Sequence, residues 1–147
     1  MKISIVTPTF NEVQNIENLY HDIKKEIQLL NCEYEHIIID NSSNDGTIEK
    51  IKNLAENDKN LKIIINSRNF GHIRSPFHGL LQSEGDATIL MASDYQDPPS
   101  LIQEYIKKWK DGNQIVLGEK IASDENKIIF SFLNFFYKFL NFLSDDN

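Results

Sequence analysis

Short runs of apolar, mostly β-branched residues alternate along this chain with longer segments whose apolar residues recur every three or four positions. The first pattern predicts buried strands, and the second predicts helices that bury one face. We predict strands at residues 2–7, 34–40, 61–66, 87–92 and 114–118, and helices at about 13–30, 48–55, 75–85 and 101–110. Strands that alternate with such helices form parallel βαβ units. The pattern therefore predicts an α/β, Rossmann-like fold with a mostly parallel sheet flanked by helices.

Polar residues predict where two of the helices begin. Asn11, with Gln14 three residues later, is typical of a capping pair for the first helix. Asp97 followed by Pro98 is typical of an N-cap with proline at the first helical position. We therefore expect Asp97 to cap the fourth helix.

The segment at residues 128–143, IIFSFLNFFYKFLNFL, holds most of the nine phenylalanines of the chain. Its polar residues, Ser131, Asn134, Lys138 and Asn141, fall on one narrow stripe, which predicts a C-terminal amphipathic helix. Two interpretations remain open: a helix that packs on the sheet or on a partner, including a homodimer through residues 128–143, and an interfacial helix on a membrane surface. We expect a main domain at residues 1–122 and a Phe-rich helix with its tail at residues 123–147.

Composition narrows the classes of protein that fit. A chain of 147 residues with 40% hydrophobic and 25% charged residues is long enough for one globular domain with a core. Its formal charge of −7, without a basic block, argues against nucleic acid as a partner. The single Cys32 cannot form an internal disulfide, and no apolar stretch approaches the roughly 20 residues that cross a bilayer. We expect a cytoplasmic protein, with a peripheral position at the inner face of the cell membrane left open.

The clearest candidate chemistry lies in the stretch ILMASDYQDPPS at residues 89–100. An apolar strand there ends just before Asp94 and Gln96, so these side chains follow the C-terminal end of a strand. Ligands bind to open α/β sheets in the crevice outside those strand ends. Asp94 and Gln96 alternate along the chain and can point to the same side, where their oxygens would suit a divalent metal ion on a diphosphate. Taken alone, Asp94 can equally be a capping or solvated acid.

Two further residues are candidates on weaker grounds. Asp40 ends the second predicted strand, where it can accept hydrogen bonds from a base or a ribose hydroxyl, or simply cap its loop. Arg68 follows the third strand and can reach a phosphate oxygen or remain a surface residue. His72 and His78 lack the spacing of metal ligands, so we expect structural roles for them. The absence of a G-x-G-x-x-G or Walker A sequence argues against a dinucleotide dehydrogenase and a P-loop ATPase.

Four blocks in a fixed order carry a family resemblance: SIVTPTFNE, IIIDNSSNDGT, SRNFGH and ASDYQDPP. Together they resemble the inverting, nucleotide-sugar-dependent glycosyltransferases of family 2, which have the GT-A fold. The resemblance is strongest to the polyprenyl-phosphate branch, which includes dolichol-phosphate mannose synthase and bactoprenol glucosyltransferases. It covers residues 3 to 143, and it implies a GT-A nucleotide-sugar-binding domain.

The resemblance also implies a site, a cofactor and an acceptor. Mg²⁺ or Mn²⁺ on the donor diphosphate would be held at Asp94 and Gln96. The acceptor would be a polyprenyl phosphate or a glycan, and no residue is assigned as the catalytic base. The implied contacts to the nucleotide-diphosphate sugar are Pro8, Phe10, Glu12, Asp40, Arg68 and Asp94.

Some features depart from the family pattern. Ala92 stands where the first metal-binding aspartate is common, and Asn41 and Ser42 replace a common Asp-Gly. Members of the family usually continue well beyond this length, so we expect a truncated gene product or a donor-binding part of the enzyme. The alternative function is a non-catalytic nucleotide-sugar-binding or assembly subunit that acts through its Phe-rich helix.

Overall fold

The computed structural model describes residues 1–119, which contain four strands and four helices in alternation. Each strand coincides with one of the predicted apolar runs. The strands are β1 (Lys2–Thr9), β2 (Glu33–Asp40), β3 (Leu61–Ile65) and β4 (Ala87–Leu90). The helices are α1 (Ile16–Gln28), α2 (Thr47–Glu56), α3 (Gly71–Leu81) and α4 (Leu101–Lys110). The prediction of an α/β fold with a parallel sheet is confirmed.

The four strands form one parallel sheet in the order β3-β2-β1-β4. The chain moves outward from β1 through β2 to β3 and then returns past β1 to β4. Because crossovers between parallel strands are right-handed, a connection that reverses direction places its helix on the opposite face of the sheet. Helix α3 is that connection. The reversal also creates a crevice between the C-terminal ends of β1 and β4, where α/β proteins bind ligands.

Apolar residues fill both faces of the sheet. On one face, α1, α2 and α4 pack against the strands through two clusters of buried side chains. On the other face, α3 packs against β1 and β2 through a smaller cluster, in which Leu80 contacts the buried Val6, Ile37 and Ile39. The largest fully buried side chains are Ile3, Ile5, Ile16, Leu19, Ile23, Ile27, Ile37, Ile38, Ile39, Ile51, Met91 and Ile102. These are the periodic apolar positions of the sequence, and their burial supplies the main favourable term for folding.

The predicted fifth strand at residues 114–118 is wrong. The segment is irregular, and Ile115 and Leu117 are 80% and 85% exposed. A strand requires a neighbour with which to exchange backbone hydrogen bonds, and within residues 1–119 the sheet has only four members. The apolar run is therefore a local pattern that finds no partner strand among residues 1–119.

The predicted helix starts are also corrected. Helix α1 begins at Ile16 rather than near residue 13, because Asn11 has a left-handed backbone (φ 57°) and its side chain bonds the loop after β2 instead of capping α1. Helix α3 begins at Gly71, four residues earlier than predicted, and includes Pro76. Helix α4 begins at Leu101, after Ser100, so Asp97 is not its cap.

Two of the sequence predictions extend past the described residues. Residues Met1–Leu117 form one compact unit. The amphipathic helix predicted at residues 128–143 lies outside the described residues, and so does the domain boundary at residue 122. Among the helices of residues 1–119, none has the length and hydropathy to span a bilayer.

Candidate functional site

The crevice at the C-terminal ends of β1 and β4 contains a cavity of about 520 Å³. Residues at the end of β1 form one wall, and residues after β4 form another. The loop before α3 and the first turns of that helix close a third side. The lining residues are Pro8, Thr9, Phe10, Glu12, Asn41, Asn69, Gly71, His72, Ser75, Pro76, Ala92, Ser93 and Asp94.

Four of the six nucleotide-sugar contacts implied by the sequence lie together in this cavity lining: Pro8, Phe10, Glu12 and Asp94. Phe10, the residue that follows β1, is 44% exposed. An exposed aromatic face can stack on a nucleobase. The carboxylates of Glu12 and Asp94 give the same cavity two acidic groups.

Asp40 lies at the same rim of the sheet but is not among the lining residues. It is fully buried, and its carboxylate accepts hydrogen bonds from the Ser43 backbone N–H at 2.9 Å and from the Ser43 hydroxyl. These bonds are those of a loop cap, which was the other role that the sequence allowed. The next residue, Asn41, lines the cavity instead. A direct contact between Asp40 and a nucleotide stays a prediction.

The loop that carries Phe10 and Glu12 is tied to the loop after β2. The backbone N–H of Asn11 donates to Ser43 Oγ at 2.8 Å, and the N–H of Glu12 donates to Thr47 Oγ1 at 2.9 Å. Because each of these bonds spans more than 30 residues, the position of Phe10 and Glu12 depends on the loop after β2 as well as on β1.

Asp45 anchors the same two loops through its carboxylate. It accepts hydrogen bonds from the N–H of Val13 and from the N–H and hydroxyl of Thr47. Some desolvation opposes the ionisation of Asp45, but the hydrogen bonds from Thr47 and Val13 outweigh that effect and lower its pKa. The carboxylate is therefore charged at neutral pH and accepts all three bonds.

Asn41 connects the end of β2 to the loop before α3. Its Oδ1 accepts hydrogen bonds from the Phe70 N–H at 2.9 Å and from Asn66 Nδ2 at 3.2 Å. Its Nδ2 donates to Asn69 Oδ1 at 2.9 Å and to the Gly71 carbonyl at 3.3 Å. The amide thus uses both donors and both acceptor positions within the protein.

Asn41, Asn69 and Ser75 were not among the site residues predicted from the sequence. A signal was present, because Asn41 follows Asp40 directly and Asn69 lies inside the SRNFGH block. His72, for which we expected a structural role, also lines the cavity. Strand and helix periodicity does not reveal which residues of separate loops meet.

The loop before α3 and the helix itself give this side of the cavity a positive character. The N-terminus of α3 carries the positive end of the helix dipole, and Gly71 and His72 of its first turn line the cavity. Arg68 is exposed, and its guanidinium lies over the Phe70 ring, 4.9 Å from the centroid. It is not among the lining residues, so its contact with a phosphate stays a prediction.

Asp94 and Gln96 do point toward each other, as their spacing predicts. Gln96 Nε2 donates to Asp94 Oδ2 at 2.6 Å, and the Gln96 N–H donates to Asp94 Oδ1 at 3.2 Å. Residues 1–119 contain no group of three or more His, Cys, Asp or Glu side chains placed to hold a metal ion. One carboxylate and one amide oxygen fit a divalent ion only when substrate phosphates and water complete its coordination.

Comparison with known proteins identifies relatives over nearly the whole chain. The family model for glycosyl transferase family 2 matches residues 4–145. The prophage bactoprenol glucosyl transferase homolog of Escherichia coli K12 is 34% identical over 146 residues, which are 99% of this chain and 48% of that protein. The dolichol-phosphate mannosyltransferase of Pyrococcus furiosus is 33% identical over 120 residues, 82% of this chain and 33% of that protein. The chain thus spans less than half the length of these curated relatives.

Solved structures share the fold at lower identity. The mannosyltransferase PcManGT from Pyrobaculum calidifontis, in complex with GDP-Man and Mn²⁺, matches 78% of this chain and 33% of its own, with a TM-score of 0.64 and 21% identity. TarS of S. aureus in complex with UDP matches 84% of this chain and 38% of its own, with a TM-score of 0.63 and 21% identity. The predicted GT-A fold is confirmed by these neighbours.

Proposed function

The chain belongs to glycosyl transferase family 2, and we propose that its cavity binds a nucleotide-diphosphate sugar as the donor of a glycosyl transfer. In this proposal Pro8, Phe10 and Glu12 contact the nucleotide, and Asp94 lies at the diphosphate. The acceptor is a polyprenyl phosphate or a glycan, which attacks the anomeric carbon from the face opposite the leaving group and inverts it. The described residues supply the donor-binding part of that reaction.

One observation carries this proposal. Four of the residues expected to contact the donor line the same cavity, at the point where the strand order reverses. They come from separate parts of the chain, residues 8–12 and residue 94, so their meeting depends on the fold rather than on their spacing in the sequence. The bound GDP-Man and UDP of two structural neighbours support a nucleotide ligand in this fold.

In this proposal, different walls of the cavity bind different parts of the donor. The exposed ring of Phe10 is available to stack on the base, and Glu12 can accept hydrogen bonds from its edge or from ribose. The first turn of α3 places a positive partial charge where the negative phosphates would lie. Mg²⁺ or Mn²⁺ held by Asp94 and Gln96 would neutralise charge on the departing diphosphate. Such stabilisation of a leaving group lowers the barrier to transfer.

Location and assembly extend the proposal. A polyprenyl phosphate is carried in a membrane, so the protein would act peripherally at the inner face of the cell membrane. The segment at residues 128–143 is our candidate for contact with that membrane or with a second copy of the chain, and it lies outside the described residues. The bactoprenol glucosyl transferase relatives support a lipid-phosphate acceptor.

Thermal unfolding with a panel of UDP-sugars and GDP-sugars, each with and without Mn²⁺, tests the donor site. At a free concentration 100 times its Kd, a donor should raise the free energy of unfolding by about 2.7 kcal/mol. We expect the largest increase with Mn²⁺ and donor together and none with Mn²⁺ alone, because the protein offers one carboxylate to the ion. Asp94→Asn should remove the part of the increase that depends on Mn²⁺.

Asp111→Asn is the matched control, because Asp111 is an exposed aspartate at the C-terminus of α4 and the charge change is the same. Asp111→Asn should change neither the stabilisation by the donor nor the additional stabilisation that depends on Mn²⁺. If no nucleotide-sugar stabilises the wild-type chain, the donor site is refuted. If donors bind and the chain also transfers the sugar to a lipid acceptor, the alternative of a non-catalytic binding subunit is refuted.

A further inference from the structure

We propose that Tyr95 is a positioning residue, whose bond to α1 holds Asp94 and Gln96 in the arrangement that would receive the diphosphate of the donor and its metal ion. The inference rests on the proposed function for the identity of the ligand. Tyr95 lies between these two residues in the loop that joins β4 to α4, and it is not among the residues that line the cavity. Its hydroxyl donates a hydrogen bond to Asp22 Oδ2 of α1 at 2.8 Å.

The backbone at Tyr95 is left-handed, with a φ of 59°. This conformation is strained for a residue with a bulky side chain, and it persists only where the surrounding structure imposes it. It turns the chain so that Gln96 approaches Asp94. The Gln96 N–H donates to Asp94 Oδ1 at 3.2 Å, and Gln96 Nε2 donates to Asp94 Oδ2 at 2.6 Å. Relaxation of Tyr95 to an extended conformation would open this turn.

Helix α1 gives the Tyr95 hydroxyl a fixed partner. The helix packs on the sheet through four fully buried side chains, Ile16, Leu19, Ile23 and Ile27. Asp22 lies on its exposed side, so the carboxylate has a defined position at the surface. Asp94 and Gln96 are themselves exposed, and core packing therefore does not hold them in place. The bond between Tyr95 and Asp22 connects their loop to an element that the core does hold.

Two substitutions at Asp22 separate the hydrogen bond from the charge. Asp22→Ala and Asp22→Asn each remove one negative charge from the same position. Asparagine keeps a side-chain oxygen that can accept the bond from the Tyr95 hydroxyl, whereas alanine has none. Only Asp22→Ala and Tyr95→Phe should therefore release the loop. Tyr34→Phe is the control for the loss of a hydroxyl, because Tyr34 lies near the start of β2, at the opposite end of the strands from the cavity.

Calorimetry measures the affinity of each chain for UDP and GDP, with and without Mn²⁺. We expect Tyr95→Phe and Asp22→Ala to reduce the gain in affinity that Mn²⁺ provides about fivefold, as for the loss of one hydrogen bond. Their affinity without Mn²⁺ should stay near that of the wild type, because the contacts to the base and ribose are unchanged. Asp22→Asn and Tyr34→Phe should keep the full gain. The double variant Tyr95→Phe with Asp22→Ala should lose no more than either alone, because both changes remove the same bond.

A second measurement needs no ligand. The ¹⁵N order parameter of the Gln96 N–H reports motion of the loop on the fast timescale. It should fall in Tyr95→Phe and Asp22→Ala and keep the wild-type value in Asp22→Asn and Tyr34→Phe.

A loss of affinity in Asp22→Asn as large as that in Asp22→Ala would overturn the proposal, since charge would then be the cause. An equal loss with and without Mn²⁺ would overturn it too, because the role would be structural only. If Tyr95→Phe does not fold, Asp22→Ala tests the same bond from an exposed position. If the wild-type chain binds neither nucleotide or gains nothing from Mn²⁺, the proposed function fails at that point. Unchanged order parameters in Tyr95→Phe and Asp22→Ala would then refute the positioning role separately.

Discussion

At the scale of single residues, Glu35 is a buried charge that links neighbouring groups near the N-terminal ends of the strands. It is 2% exposed, and its carboxylate accepts hydrogen bonds from Ser4 Oγ at 2.6 Å and the Glu84 N–H at 2.7 Å. Lys62 and Lys2 approach it at 2.6 and 3.3 Å. Burial opposes its ionisation, but the bonds from Lys62, Ser4, Glu84 and Lys2 outweigh burial and lower the pKa of Glu35 to about 2.

Replacing Glu35 with Gln should therefore destabilise the fold at neutral pH. A carboxyl whose pKa is lower in the folded than in the unfolded chain stabilises the fold above the unfolded pKa, near 4.5, and loses that contribution as the pH falls toward 2. We expect Glu35→Gln to lower the free energy of unfolding by about 2 kcal/mol at pH 7 and by roughly half of that at pH 3. Urea unfolding at the two pH values measures the difference.

Glu84→Gln provides the control for this prediction. Glu84 contacts the same two lysines, each at 3.1 Å, but its side chain is 66% exposed, so solvent screens the pairs. We expect the free energy of unfolding of Glu84→Gln to differ little from that of the wild type at either pH. A loss in Glu84→Gln as large as that in Glu35→Gln would mean that burial of Glu35 is not the cause.

At the scale of elements, the position of α3 depends on Gly79. A methyl group there would lie 2.8 Å from Val6 Cγ1 and 3.1 Å from Ile39 Cγ2, so the helix approaches β1 and β2 more closely than any larger residue allows. Because the N-terminus of α3 lines the cavity, the packing at Gly79 also determines the distance between that wall and β4.

Gly79→Ala should destabilise the protein by about 1 kcal/mol, because overpacking of the core costs about 2 kcal/mol and exceeds the roughly 1 kcal/mol by which alanine is favoured over glycine in a helix. Urea unfolding measures the loss, and nucleotide affinity should fall with it. His78→Ala on the exposed side of the same helix should change stability by no more than about 0.5 kcal/mol. A Gly79→Ala variant as stable as the wild type would show that α3 can shift on the sheet without cost.

At the scale of the whole molecule, charge and hydrophobicity are unevenly divided along the chain. The chain carries a net charge of −7, whereas residues 128–143 contain only Lys138 as a charged residue and six of the nine phenylalanines. An acidic protein does not bind an anionic bilayer through charge, so any binding must come from apolar side chains.

We therefore expect the full chain to sediment with lipid vesicles, both neutral and anionic, and a chain ending at residue 127 to stay in the supernatant. Addition of salt should change the bound fraction little, since the interaction is apolar. Circular dichroism of the shortened chain checks that it remains folded. Equal sedimentation of the two chains would remove the membrane role of the segment, and a dimer lost on shortening would assign it to self-association instead.

Much of the fold could be predicted because its signals are local. The isoleucine run that ends at Asp40 and the apolar run that begins at Ala87 predict buried strands from a few neighbouring residues. The helix starts failed for the opposite reason. Asn11 and Asp97 are capping residues by type, but long-range bonds or turns of the loops direct them elsewhere.

The order of strands and helices, the apolar faces and the residues at the strand ends followed from the sequence alone, because periods of two and 3.6 residues reflect burial directly. Only the tertiary structure decided that Asn41 rather than Asp40 lines the cavity, that residues 114–118 form no strand, and that α3 supplies a wall. These outcomes depend on which strands become neighbours and on hydrogen bonds between loops about 30 residues apart, such as that between Asn41 and Asn69. No local pattern encodes such contacts, since their partners meet only after the sheet has formed.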